Sequence, residues 1–163
     1  MELPKKLTKF LKKHKVFYEV QVHPETFTAL ETAEAEHVSG RQLVKAVMVK
    51  ADGKDVMVVL PSNRNVDLFK LSTALGKLDV RIEEEVEFKE LFPDCEAGAM
   101  PPFGKMYGIP CYADESLSDE DQIYFNAGNH WETIKVSTAD FLRVSKAVTG
   151  DFSVVAKKMA ERR

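Results

Sequence analysis

The period of apolar residues changes several times along this 163-residue chain, and each change marks an element. Leu3, Leu7, Phe10 and Leu11 recur at helical spacing with lysines between them, which predicts an amphipathic first helix ending near His14. Val16 to His23 is rich in β-branched and aromatic residues and reads as a strand. Thr28-Ala29-Leu30-Glu31 has the form of a capping box, so a helix is expected through Val38, with Gly40 placed to stop it.

The clearest local signal is a hairpin. The apolar runs Leu43 to Lys50 and Asp55 to Leu60 flank Ala51-Asp52-Gly53-Lys54, and Asp-Gly between two such runs favours a two-residue turn. With Asp52 and Gly53 in the turn, Lys50 faces Asp55, Met48 faces Met57 and Lys45 faces Leu60. Both faces of each run are largely apolar, which places the hairpin centrally in its sheet. Leu68, Leu71 and Leu75, closed by Gly76, predict a short helix; Asp79 to Ile82 a brief strand; and Val86 to Phe92 another helix, stopped by Pro93. After a loop from Glu96 to Gly104, strands are expected over Pro110 to Ala113, Gln122 to Asn126 and Thr133 to Val136. Ser137 can cap a helix through about Ser145, with a basic tail beyond. Helices interspersed with hairpins predict an α+β domain built on a mixed, mainly antiparallel sheet. The expectation is a single domain over residues 1–163, with the basic tail from about residue 150.

Hydrophobic residues make up 44 % and charged residues 30 %, a globular balance with no apolar run long enough to span a membrane. The N-terminus lacks a signal-peptide pattern, so the expected location is cytoplasmic. Cys95 and Cys111 read as reduced thiols, and no His-Cys cluster has metal-ligand spacing, so neither metal nor cofactor is expected. The net charge of -3 is unevenly spread. Lysines 5, 6, 9, 12, 13 and 15 crowd one end, and Lys157, Lys158, Arg162 and Arg163 the other. Such patches are either solvated faces or phosphate-attracting surfaces.

Three features depart from a plain core-and-surface pattern. Lys45 shares a strand face with Leu43, Val47 and Val49, where a lysine either snorkels out or serves a pocket. The loop Gly98 to Gly104 carries two prolines and two glycines; it is either a tight crossover or a rigid presenter of peptide groups to a ligand. In Phe125-Asn126-Ala127-Gly128-Asn129-His130, small residues permit close approach, and His130 is a general base, a hydrogen-bond donor or a surface histidine. The chain has no phosphate-binding glycine loop and no nucleophile elbow.

Taken in order, these blocks resemble the YbaK/ProX aminoacyl-tRNA editing domains. Thr28 to Glu31 with Val38 to Lys45 is similar to the family's first block, Gly98-Ala99-Met100-Pro101-Pro102 fits its GxxxP loop, and Phe125 to Gly128 resembles its late strand-turn block. The resemblance implies an α+β fold whose sheet curls into a partly closed barrel with surrounding helices. It also implies a hydrolase that deacylates mischarged tRNA carrying a small amino acid such as cysteine, alanine, serine or threonine. Lys45 corresponds to the essential lysine. Gly98, Ala99, Met100, Pro101 and Pro102 correspond to the loop that positions the aminoacyl group, and Asn126, Ala127 and Gly128, with His130 nearby, to a pocket wall. The implied partners are the acceptor end of mischarged tRNA and an aminoacyl-tRNA synthetase. Two alternatives stay open: an inactive binding module of the same fold, and a hydrolase of a small ester or nucleotide.

Overall fold

The computed structural model describes residues 3–26, 29–35 and 38–156, and one hairpin organises it. Asp52 and Gly53 take φ values of 48° and 82°, the left-handed pair that a tight two-residue turn demands. They join β2 (Val44–Ala51) to β3 (Lys54–Pro61), and the register pairs Lys50 with Asp55, Met48 with Met57 and Lys45 with Leu60, as the sequence predicts. Each hairpin strand buries both faces. Val44, Met48, Met57 and Val59 join the main core, while Val49, Ala51, Val56, Val58 and Leu60 pack with Leu71 and Phe152 on the other side.

Before the hairpin come helix α1 (Lys5–Lys13), strand β1 (Glu19–Val22) and helix α2 (Ala29–Ala35). After it come β4 (Arg64–Val66), α3 (Leu68–Leu75), β5 (Val80–Ile82), α4 (Glu85–Phe88), β6 (Cys111–Asp114), β7 (Gln122–Asn126), β8 (Glu132–Ser137), α5 (Thr138–Ser145), β9 (Val148–Gly150) and β10 (Ser153–Val155). Three sheets result, with strand orders β5-β2-β3-β6-β9, β1-β8-β7 and β10-β4. The β3–β6 and β6–β9 pairs are parallel and all other pairs antiparallel. Phe103 centres the main core, with its ring 5.2 Å from Phe10, 5.4 Å from Phe125 and 5.6 Å from Phe141. Among the described residues no helix is long and apolar enough to cross a membrane.

The expected curl into a partly closed barrel is overturned. A barrel needs a ladder that returns to its first strand, and here every sheet is open. The reason lies along the outer edge of β2. That edge meets β7 at a single parallel bridge, Leu43 to Tyr124, and then passes to β5 from Val49 to Ala51. One bridge does not make a ladder, so the sheets abut without closing. Several local expectations are also revised. The helix expected over Val86 to Phe92 is α4 followed by a 3-10 turn at Lys89–Leu91. The stretch read as tail contains β9 and β10, and β10 pairs with β4, a strand too short to show a period. Thr28 of the expected capping box, His37, and the basic residues Lys157, Lys158, Arg162 and Arg163 lie outside the described residues.

Candidate active site

Strand alternation sorts β7 and β8 into two faces. Ile123, Phe125, Ile134 and Val136 enter the main core. Tyr124, Asn126, Thr133 and Lys135 therefore point the other way, with Asn126 directly opposite Thr133 and Tyr124 opposite Lys135. On β1 the partner of Thr133 is Gln21, which extends this polar face. The face is not simply solvated, since Thr133 is wholly buried. The Oδ1 atom of Asn126 is buried with no hydrogen-bond partner among the described residues. A buried amide oxygen left unpaired costs about 1–3 kcal/mol.

Lys45 belongs to this face. The Leu43–Tyr124 bridge is parallel, and Tyr124 N–H donates to Gln42 O at 2.9 Å. Lys45 and Asn126 each stand two residues beyond this bridge, on the same side of their strands as Leu43 and Tyr124. Lys45 is half-buried and has no ion-pair or hydrogen-bond partner among the described residues. Burial alone pulls its ammonium below the ordinary lysine value. An uncompensated cation at the end of an apolar strand is the kind of group that awaits an external anion.

The loop and the β7–β8 turn close the end of this face. Gly128 N–H donates to Ala99 O and Glu96 N–H to Gly128 O, both at 2.8 Å, so loop and turn are clamped reciprocally. His130 N–H donates to Glu96 Oε1 at 2.9 Å, and its ring Nε2 lies 3.0 Å from Ala97 O. A carbonyl only accepts, so Nε2 carries the hydrogen and is not the base. Gly98 is the exposed point of the loop, with φ of 81°. A Cβ there would come 3.9 Å from His130 Cε1. Ala99, Met100, Pro101 and Pro102 are buried behind it. Met100, Phe103 and Met48 all sit in the main core. The prolines therefore brace the loop while Gly98 presents it.

Gly128, with φ of 92°, has no room for a side chain: a Cβ would fall 2.6 Å from Pro4 Cγ, next to the start of α1. Asn129 is fully buried, and its Oδ1 accepts from Trp131 N–H at 3.0 Å and Glu132 N–H at 2.8 Å, which fixes the turn. His130 O in turn accepts from Thr26 N–H at 2.9 Å. Thr26 Oγ1 meets the buried Thr32 Oγ1 of α2 at 2.6 Å. Sequence reasoning missed Glu96, Thr32 and Thr133. For Thr133 a signal was present, because alternation places it opposite Asn126. For Glu96 there was none, since its partner is 34 residues away. Burial pushes the thiols of Cys95 and Cys111 each up to about 12, so neither is a ready nucleophile.

Residues 23–144 match the family model described as an aminoacyl-tRNA editing domain. Over 110 residues the chain is 32% identical to the multifunctional Ser/Thr-tRNA deacylase ProXp-y of Escherichia coli (strain K12), and the match covers 64% of this chain and 65% of that protein. The chain thus spans a little under two thirds of that relative's length. Over 94 residues it is 33% identical to the proline–tRNA ligase of Heliobacterium modesticaldum, covering 58% of this chain and 16% of the ligase. The crystal structure of hypothetical protein APE2540 superposes with a TM-score of 0.83 at 23% identity, over 92% of this chain and 100% of that one. A candidate trans-editing enzyme for prolyl tRNA synthetase superposes with a TM-score of 0.80 at 21% identity, over 93% and 96%. These two likenesses concern the fold alone. With the matched model spanning Lys45, the loop and the β7–β8 turn, the chain belongs to the aminoacyl-tRNA editing domain family, in its YbaK/ProX group.

Proposed function

We propose that this protein is a trans-editing deacylase that hydrolyses the ester of tRNA mischarged with a small amino acid, and that Lys45 anchors the substrate's 3′ end. The observation that supports the reading is that Lys45, a desolvated cation, and the buried Oδ1 of Asn126 both lack a partner among the described residues, each two residues beyond the single bridge between their strands. Two buried or half-buried polar groups without partners among the described residues are suited to meet a ligand.

The chemistry asked of the site is modest. An aminoacyl ester is already activated, so positioning and electrostatic stabilisation matter more than a strong nucleophile. Lys45 binds a phosphate or hydroxyl oxygen of the terminal adenosine as a point charge. The exposed backbone at Gly98 faces the ester carbonyl and supplies a fixed dipole where negative charge develops. Asn126 accepts a hydrogen bond from the substrate's ammonium or a ribose hydroxyl. Gly128 and His130 wall the end of the pocket, and a ribose hydroxyl of the substrate assists the attack of water. Such editing corrects synthetase pockets that separate close side chains by only about 10- to 200-fold. Among cysteine, alanine, serine and threonine, the name of the Escherichia coli relative favours serine and threonine.

The test is a deacylation panel with tRNA charged with each of those four amino acids and one cognate control. Wild type is expected to clear at least one mischarged tRNA and spare the control, and Lys45→Ala to lose most of that activity. Near-normal turnover by Lys45→Ala would remove this lysine from the mechanism. Inactivity of wild type on the whole panel would sink the assignment.

A further inference from the structure

Helix α1 is basic in a way that its own stability does not call for. At 100° per residue, Lys5, Lys6, Lys9, Lys12 and Lys13 fall within one arc of about 120°, centred opposite the buried Leu7 and Leu11. All five are exposed. No acid lies in the first turn, and none of these lysines forms an ion pair among the described residues. Lys5–Lys9 and Lys9–Lys13 are like-charged neighbours at the repelling four-residue spacing. Lys5 and Lys6 also sit at the positive end of the helix dipole. Lys12 and Lys13 suit the negative end of the dipole and Lys6 lies 4.5 Å over the Tyr107 ring, but no carboxylate among the described residues pairs with any of the five, which marks the arc as a surface for an anionic partner.

The position of the helix says which partner. Pro4, immediately before α1, packs against Gly128 of the site turn, so the helix begins at the site and leads away from it. Its nine residues cover about 14 Å. Lys9, Lys12 and Lys15 then line an open groove of about 520 Å3 with Thr8, Val16 and Tyr18. At the far end Arg143 Nη2 donates to His14 O at 3.3 Å, and burial first, then the charges of Lys105, Lys13, Arg143 and Lys146, hold the His14 imidazole below its ordinary value. Cations from separate elements thus continue the line that α1 starts, on a chain whose net charge is -3.

We propose that the lysine arc of α1 is a phosphate-tracking surface for the double-helical stem of the RNA whose 3′ end occupies the site. This rests on the reading of that site as one for the aminoacyl end of tRNA. A duplex backbone suits the arc: double-stranded RNA is held by shape and phosphate contacts, and evenly spaced exposed lysines supply charge without sequence preference.

The experiment compares wild type with the variant Lys5→Gln/Lys9→Gln/Lys12→Gln/Lys13→Gln, and with the same positions changed to Arg. Glutamine and arginine are both good helix formers, so α1 is retained. On full-length mischarged tRNA the glutamine variant is expected to raise KM about tenfold with kcat little changed. Its log(kcat/KM) should fall less steeply with log[salt], by about one unit of slope for each phosphate that a lysine no longer neutralises. The arginine variant should match wild type. On an aminoacylated single-stranded CCA oligonucleotide, wild type and glutamine variant should behave alike. An unchanged KM on full-length tRNA, or an equal loss on the stemless substrate, overturns the proposal. If wild type cleaves nothing, binding of uncharged tRNA separates the two readings: salt-sensitive binding that disappears in the glutamine variant keeps the track, and absent binding ends it. Loss of binding to anionic phosphatidylserine vesicles with tRNA binding intact would assign the arc to a membrane surface and overturn it too.

Discussion

Lys45 and Lys50 stand on the same strand and meet opposite fates. Lys50, near the turn, has Asp55 Oδ1 at 2.7 Å and Glu83 Oε2 at 4.0 Å. Its ammonium is raised above the ordinary value, chiefly by the hydrogen bond to Asp55. Lys45, at the open end, has no such partner and is lowered by burial. At the turn end Lys50 pairs with Asp55 and Arg81 with Glu87, and the buried Glu83, whose oxygens have no hydrogen-bond partner among the described residues, meets its burial by a raised pKa. The open end is left unbalanced. The difference teaches how to tell a structural charge from one held for a ligand: the first is compensated within the fold, and the second is desolvated without compensation.

The strongest way to break the comparison is to remove each lysine in turn. Lys45→Met should cut kcat/KM on the order of 100-fold, equivalent to about 3 kcal/mol for a charge-assisted contact. Its Tm should hold or rise, because a desolvated cation is removed with no internal bond. Lys50→Met should do the reverse, lowering Tm and leaving kcat/KM within about twofold, since it leaves Asp55 and Glu83 facing each other without their cation. Paired deacylation assays and thermal melts read both. A stable, active Lys45→Met would erase the distinction.

A smaller effect is expected at Asn126. Its Oδ1 has no bond to lose among the described residues, so Asn126→Ala should leave stability almost unchanged while reducing kcat/KM about tenfold, the worth of one hydrogen bond at about 1.4 kcal/mol.

The turn end makes a prediction in pH. Burial first, and the neighbouring Asp55 carboxylate second, push the Glu83 carboxyl from 4.5 up to about 7. Between those values the folded chain keeps a proton that the unfolded chain has released. Stability through this group is therefore full below pH 4.5 and falls as pH rises towards about 7. Melting curves of Glu83→Gln should lack that slope, with deacylation at constant pH unaffected. A slope that survives the substitution belongs to another group.

The smallest change sharpens the role of the loop. Gly98 has φ of 81° but ordinary space around it. Gly98→Ala should cost about 1 kcal/mol of left-handed strain, and kcat/KM should fall several-fold if the peptide there meets substrate. An unchanged rate with reduced Tm would leave the loop only structural.

The hairpin register, α1, α3 closed by Gly76, and α5 capped by Ser137 were all readable from the chain, because each is set by residues a few positions apart. The same holds for the anomaly of Lys45, which follows from alternation alone. The split of Val86 to Phe92 and the short strands β4, β9 and β10 were not readable. Three residues define no period, and unlike β5, which follows the Gly76 helix stop, these strands are marked only by a partner from a distant segment.

What the sequence determined by itself was the central hairpin and the presence of residues that a plain core would not contain. Periodicity and turn chemistry act over a few residues, and they leave their mark in order along the chain. Only the tertiary structure decided that the sheets stay open, that the side of β2 carrying Lys45 continues the partly buried face of Asn126 and Thr133, and that α1 starts at the site turn. Those facts depend on which edges and faces meet, and that is settled by packing between segments far apart in sequence.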